Sequence, residues 1–186
     1  MNTEYPKKIA ENVLMHSGDP ILYVVTDFIS ELECEAFIEA SKGKLQPSTV
    51  ISPDKHVQHE SRTSDNCWID HDANDIVHEV SKRLSILVQM PIRNAEQYQL
   101  VFYKEGAQYK PHFDSFDYET PDGKKNWEPG GQRTITVLAY LNDVEEGGGT
   151  HFPELEVTIN PKKGDVVVFH NTLTEIPASK HPKIHP

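Results

Sequence analysis

Between residues 96 and 170 the chain alternates short β-forming runs with Gly, Pro and Asn/Asp breaks. No other feature restricts its fold as much. Runs rich in Val, Ile, Thr, Tyr and Phe fall near 96–104, 108–114, 133–141, 149–152, 154–159 and 165–170. Such residues favour strands, and Gly and Pro punctuate them. Many short strands of this kind form a double-sheet barrel, an arrangement that limits unpaired edges. The expectation is an α+β chain, mainly β, with a double-stranded β-helix (jelly-roll) core and supporting N-terminal helices.

The first half supplies those helices. Ser30 opens S-E-L-E, with Glu33 three residues on, which is a capping box. Leu32, Ala36, Phe37 and Ala40 follow at helical spacing, and Gly43 is the stop. Asp75 to Met90 repeats Ile76, Val77, Val80, Leu84, Leu87 and Val88, an amphipathic pattern that Pro91 ends. Ile21 to Phe28 reads as a strand. Residues 1–20 are polar, end in S-G-D-P, and read as a loose arm or an edge strand. At this length, one domain spanning 1–186 is the natural reading.

Charge and composition narrow the partners. The 18 Lys+Arg against 29 Asp+Glu give a formal charge of -11, which repels nucleic acid and anionic membranes. A neutral or basic peptide would be tolerated. No apolar run approaches the ~20 residues of a membrane span. The N-terminus lacks a secretory pattern. Cys34 and Cys67 are far apart and read as buried packing. A soluble, cytoplasmic protein is expected.

One stretch carries chemistry. Tyr103 to Asp114 reads Y-K-E-G-A-Q-Y-K-P-H-F-D. His112 and Asp114 are two apart, so on a strand both side chains would leave the same face. One offers an imidazole nitrogen and the other a carboxylate oxygen. Two-His-one-carboxylate sets with open positions are the usual ferrous oxygenase site. A lone H-x-D is common by chance, and a solvated His and Asp is the alternative.

Context decides between them. After Y-x-x-G-x-x-Y-x-x-H-x-D come G-G-Q-R-T-I-T-V-L-A-Y-L-N-D-V (130–144), G-G-G-T-H-F-P (147–153) and K-G-D-V-V-V-F (163–169). This order resembles the prolyl 4-hydroxylase family of iron(II)- and 2-oxoglutarate-dependent dioxygenases, from about residue 22 to about residue 170. The resemblance implies hydroxylation of peptidyl proline, with release of succinate and CO2. It implies Fe(II), 2-oxoglutarate and O2, with ascorbate as an accompanying reductant. His112 and Asp114 take the places of two iron ligands. Tyr103, nine residues before His112, and Thr150 match positions whose hydroxyls contact 2-oxoglutarate. Tyr140 matches a position facing the substrate proline, and a core tyrosine is the other reading. Arg62, in R-T-S, resembles a segment near the substrate groove, and a surface ion pair is the other reading. Trp127 lies in 115–131, which resembles a lid over bound peptide, and is either a proline-stacking ring or a local anchor. Arg133 reads as a structural ion-pair residue.

The third ligand is less constrained. In the family a second His follows K-G-D by roughly twenty residues, with a small residue after it and a Lys or Arg clamp later. His170 falls too early. His181 and His185 stand near the expected distance, and H-P-K-I-H favours His185. Neither is followed by a small residue, and no Lys or Arg follows Lys183. Either the native chain continues past Pro186 with the ligand and clamp, or the site is altered. Two other functions stay open. One is a metal-free peptide-binding domain on the same fold, which tight iron binding abolished by His112→Ala would reject. The other is a related oxygenase with another amino-acid substrate, which mass analysis of modified lysate would separate.

Overall fold

The computed structural model describes residues 5–52, 55–57 and 60–172. In chain order its elements are β1 (Lys7–Ala10), β2 (Val13–Gly18), β3 (Ile21–Val25), α1 (Glu31–Ser41), β4 (Gln46–Pro47), β5 (Val50–Ser52), β6 (Lys55–Val57), β7 (Asp65–Ile69), α2 (Asp75–Leu87), β8 (Tyr98–Phe102), α3 (Pro121–Trp127), β9 (Ile135–Ala139), β10 (Thr150–Phe152), β11 (Val157–Ile159) and β12 (Val166–His170). The fold is α+β, mainly β, of the jelly-roll type that the strand pattern predicts. It groups into two compact units, one of residues 31–110 and one of the segments before and after it.

The discontinuous unit is built on a five-stranded sheet in the order β1-β2-β3-β12-β9. Its organising strand is β12, whose V-V-V-F run is buried on both faces. A strand flanked on each side by others and covered on both faces reads as a continuous apolar run. Val167 and Phe169 join Leu22, Val24, Phe152 and Ile159 in one core cluster, with Leu138 and Tyr140 at its margin. Each such apolar side chain contributes roughly 1.5–3 kcal/mol by leaving water. The register sets Phe169 opposite both Leu22 of β3 and Thr136 of β9. The N-terminal residues resolve as an edge strand: β1 pairs with β2 through Lys7, Lys8 and Ala10. Lysines on an outer strand discourage pairing with another chain. β10 and β11 form a separate hairpin.

The other unit packs α1 and α2 by a three-stranded sheet in the order β4-β7-β8. Asn74 caps α2 by accepting from the Val77 N–H at 2.9 Å. Val77, Val80 and Leu84 form the buried stripe of α2. In α1 the buried residues are Cys34, Phe37 and Ser41, while Leu32 is 72% exposed. Arg83 of α2 grips both carboxylate oxygens of Glu33 on α1, one at 3.0 Å. Both cysteines are buried and unbridged, as their surroundings predict.

Four expectations need correction. Of 108–114, only Tyr109 makes a ladder contact, an isolated bridge to Arg62, and 111–114 is not a strand. Pro111 has no N–H to give to a ladder. The 115–131 stretch is not a plain loop, because Thr120 caps α3 within it and Pro121 starts the helix. The strand expected from 154 begins at Val157, since Pro153–Leu155 form a 3-10 turn closed by left-handed Glu156. Finally, α2 stops at Leu87, short of Met90, because Gln89 turns left-handed at φ 55°.

Candidate functional site

His112 and Asp114 lie on irregular backbone, yet their side chains still meet. His112 Nε2 stands 3.3 Å from Asp114 Oδ1, and both side chains are partly buried. The other carboxylate oxygen, Oδ2, accepts the Thr136 hydroxyl proton at 2.6 Å. Burial by itself would raise the Asp114 carboxyl. The hydrogen bonds from His112 and Thr136 and the charges of His112 and Arg133 outweigh it, so the group is held below its ordinary value. Asp114 is therefore ionised at neutral pH.

Arg133 places its guanidinium 4.6 Å from the centre of the Phe116 ring. Gln132 accepts from the Phe116 N–H at 2.7 Å and donates to the Phe116 carbonyl at 3.0 Å. One side-chain amide thus closes the base of the excursion that carries α3. At the end of α3, Trp127 packs edge-on to Tyr118, with centroids 5.2 Å apart.

The strand alternation of β9 sends Thr136, Leu138 and Tyr140 to one face. Thr136 reaches Asp114, and Leu138 and Tyr140 reach the core cluster. The Tyr140 hydroxyl donates to the Ile159 carbonyl at 3.1 Å and lies 2.8 Å from Thr150 Oγ1. A phenol has one proton, so the Thr150 hydroxyl donates to Tyr140. Burial pushes the Tyr140 phenol above its ordinary value, which keeps that proton in place. Tyr140 and Thr150 are thus brought together, with the Tyr140 hydroxyl already engaged.

Tyr103 and Arg62 belong to the 31–110 unit. Tyr103 follows the end of β8 and is 45% exposed. Arg62 lays its guanidinium over the Tyr109 ring at 4.6 Å. Its Nε is buried without a hydrogen-bond partner among the described residues. The segments meet through Thr63 N–H to the Gln108 carbonyl at 2.9 Å and Lys110 N–H to the Ser61 carbonyl at 2.8 Å.

The donors at His112 and Asp114 fit a ferrous ion: an imidazole nitrogen and a carboxylate oxygen converge, with the second oxygen tied back. Among the described residues no group of three His, Cys, Asp or Glu side chains is assembled for a metal. The expected third ligand, His185, and its rival His181 lie outside the described residues. Sequence reasoning missed Thr136, Asn171, Gln132 and Tyr109. A hint at Thr136 existed, since it shares the alternating face of Leu138 and Tyr140.

A family model described as the 2OG-Fe(II) oxygenase superfamily matches residues 98–185. Probable prolyl 4-hydroxylase 7 of Arabidopsis thaliana is 34% identical over 175 residues, covering 83% of this chain and 54% of the relative. Prolyl 4-hydroxylase subunit alpha-1 of Homo sapiens is 34% identical over 148 residues, covering 78% of this chain and 27% of that protein. The chain thus spans about half the length of the plant relatives it matches, 54% and 59% in two of them. The viral collagen prolyl hydroxylase of Paramecium Bursaria Chlorella virus-1, solved as a 2OG complex, superposes with a TM-score of 0.59 at 28% identity, over 80% of this chain and 77% of that one. A Pseudomonas putida prolyl-4-hydroxylase at 19% identity and a TM-score of 0.57, over 81% of this chain and 80% of that one, shares the fold.

Proposed function

Because the chain belongs to the prolyl 4-hydroxylase family of 2-oxoglutarate- and iron(II)-dependent oxygenases, we propose that it hydroxylates peptidyl proline, consuming O2 and 2-oxoglutarate and releasing succinate and CO2. The observation that carries this reading is the approach of His112 Nε2 to Asp114 Oδ1 at 3.3 Å. His112 and Asp114 would hold the iron, and His185 is our candidate for the third ligand. When bound, iron with 2-oxoglutarate supplies the oxygen activation that no side chain can, and ascorbate would keep the metal ferrous. The ionised Asp114 gives the metal an anionic ligand without waiting for deprotonation.

The remaining residues bind and orient. We assign Tyr103 and Thr150 to the 2-oxoglutarate carboxylates. The Thr150 hydroxyl, which donates to Tyr140 at 2.8 Å without ligand, would turn its proton to a carboxylate when 2-oxoglutarate binds, and the Tyr140 ring would line the path of the proline. Arg62 is our candidate for contact with the peptide, and the Trp127 ring for its proline. The formal charge of -11 argues for a neutral or basic peptide over nucleic acid or an anionic membrane. Among the described residues no helix is long and apolar enough to cross a membrane. Cys34 and Cys67 are buried and form no disulfide, which suits a reducing compartment, and we place the protein in the cytoplasm.

The test is direct. The chain is incubated with iron(II), ascorbate, labelled 2-oxoglutarate and proline-rich peptides. Succinate is then counted and the peptides are weighed for added oxygen. The expected result is both products in the parent and neither in His112→Ala or Asp114→Ala. Absence of both products from the parent overturns the proposal.

A further inference from the structure

The two oxygens of Asp114 keep different company. Oδ1 faces His112 Nε2 at 3.3 Å, whereas Oδ2 accepts from Thr136 Oγ1 at 2.6 Å. The Thr136 oxygen in turn accepts from Asn171 Nδ2 at 2.9 Å. Asn171 is only 6% exposed, and its backbone N–H donates to the Thr134 carbonyl at 2.9 Å. Its side chain therefore starts from a fixed base.

The direction of this chain of bonds follows from the groups alone. An amide nitrogen only donates and a carboxylate only accepts. The threonine hydroxyl has one proton, and the incoming amide takes up one of its lone pairs. The proton must therefore point at Asp114. The pairing of β9 with β12 holds the two relay residues in register, since Thr136 lies opposite Phe169 and Asn171 comes two residues later.

We propose that Asn171 and Thr136 are positioning residues that make Asp114 a one-oxygen metal ligand, engaging Oδ2 so that only Oδ1 is offered to the ion. This rests on the iron(II) reading of the site. A carboxylate free to turn would bring both oxygens to the metal and fill a position that an open oxygenase site leaves to its substrates. Partners of metal ligands fix ligand orientation in this way, and losing one typically weakens metal affinity about 10–100-fold.

The experiment is an anaerobic titration of the metal-free, 186-residue chain with iron(II), repeated with cobalt(II), whose visible absorption reports ligand number and geometry. Thr136→Val is expected to weaken binding about 10–100-fold and to change the cobalt spectrum. Asn171→Asp keeps the size of the side chain but competes for the threonine proton, and should shift both readouts the same way. Thr136→Ser keeps the hydroxyl and should restore the parent affinity and spectrum. A purely structural role would lower the melting temperature of the metal-free chain without altering the cobalt spectrum. If Thr136→Val fails to fold, Asn171→Asp and Thr136→Ser decide by the same readouts. If His112→Ala abolishes binding while Thr136→Val and Asn171→Asp leave affinity and spectrum unchanged, the relay is refuted and the oxygenase reading survives. If the parent binds no metal, or His112→Ala binds as tightly as the parent, that reading fails and the relay with it.

Discussion

Tyr140 shows how one hydroxyl can tie a core to a site. It donates to the Ile159 carbonyl, accepts from Thr150, and lies against the core cluster. Tyr140→Phe keeps the ring but removes both bonds, leaving the Ile159 carbonyl and the Thr150 hydroxyl without that partner. The loss of these two bonds should lower the stability of the metal-free chain by about 1–3 kcal/mol. Urea denaturation measures it, and an unchanged midpoint at unchanged slope would mean that Tyr140 packs without bonding. Residues of this kind differ in how far they can be read in advance. His112 and Asp114 were legible because two positions on the same chain stay close whatever the backbone does, and they meet although their strand is absent. Thr136 and Asn171 were not, because their contact joins residues 35 apart and exists only once β9 and β12 pair.

At the level of elements, β12 depends on the turn before it. Gly164 sits at φ 88°, and a Cβ there would overlap the Ile29 carbonyl oxygen. Its own carbonyl accepts from the Ile29 N–H at 2.9 Å, and its N–H donates to the Tyr140 carbonyl at 2.9 Å. The turn thus joins the chain after β3 to the end of β9. Gly164→Ala must adopt a left-handed backbone and displace the Ile29 carbonyl, at a cost of ~1–3 kcal/mol or more. The melting temperature of the metal-free chain should fall accordingly, and a variant as stable as the parent would contradict this account. The V-V-V-F run of β12 was legible because an unbroken apolar run of that length has few other uses. In contrast, α3 was hidden. P-D-G-K-K-N-W has no apolar period, and it coils because Thr120 caps it and Gly123 lets its turn close on the Asp117 carbonyl.

Over the whole molecule the hardest feature to foresee was the discontinuous unit. Its sheet joins Leu22 to Phe169, and nothing local in either strand names the other. The same sheet carries two half-buried imidazoles, His16 on β2 and His170 at the end of β12. Burial lowers both from their ordinary value of 6.5. In the unfolded chain they take up protons as pH falls through 6.5, whereas in the folded chain they resist until lower pH. The unfolded state therefore binds more protons in that window, and stability falls as pH drops from 6.5 toward the folded values. Overall charge works the other way. At -11 the chain repels itself, and acidification toward its isoelectric point near 5.3 relieves that repulsion. Salt separates the two effects, because the screening length shrinks from about 10 Å at ~0.1 M to about 3 Å at ~1 M. In ~1 M salt the long-range repulsion is largely gone while the desolvation of the buried rings remains. Under those conditions the metal-free chain should lose stability between pH 7 and pH ~5.5, before carboxylates begin to titrate. The double variant His16→Gln, His170→Gln should flatten that slope, and a slope as steep in the variant as in the parent would place the acid sensitivity elsewhere.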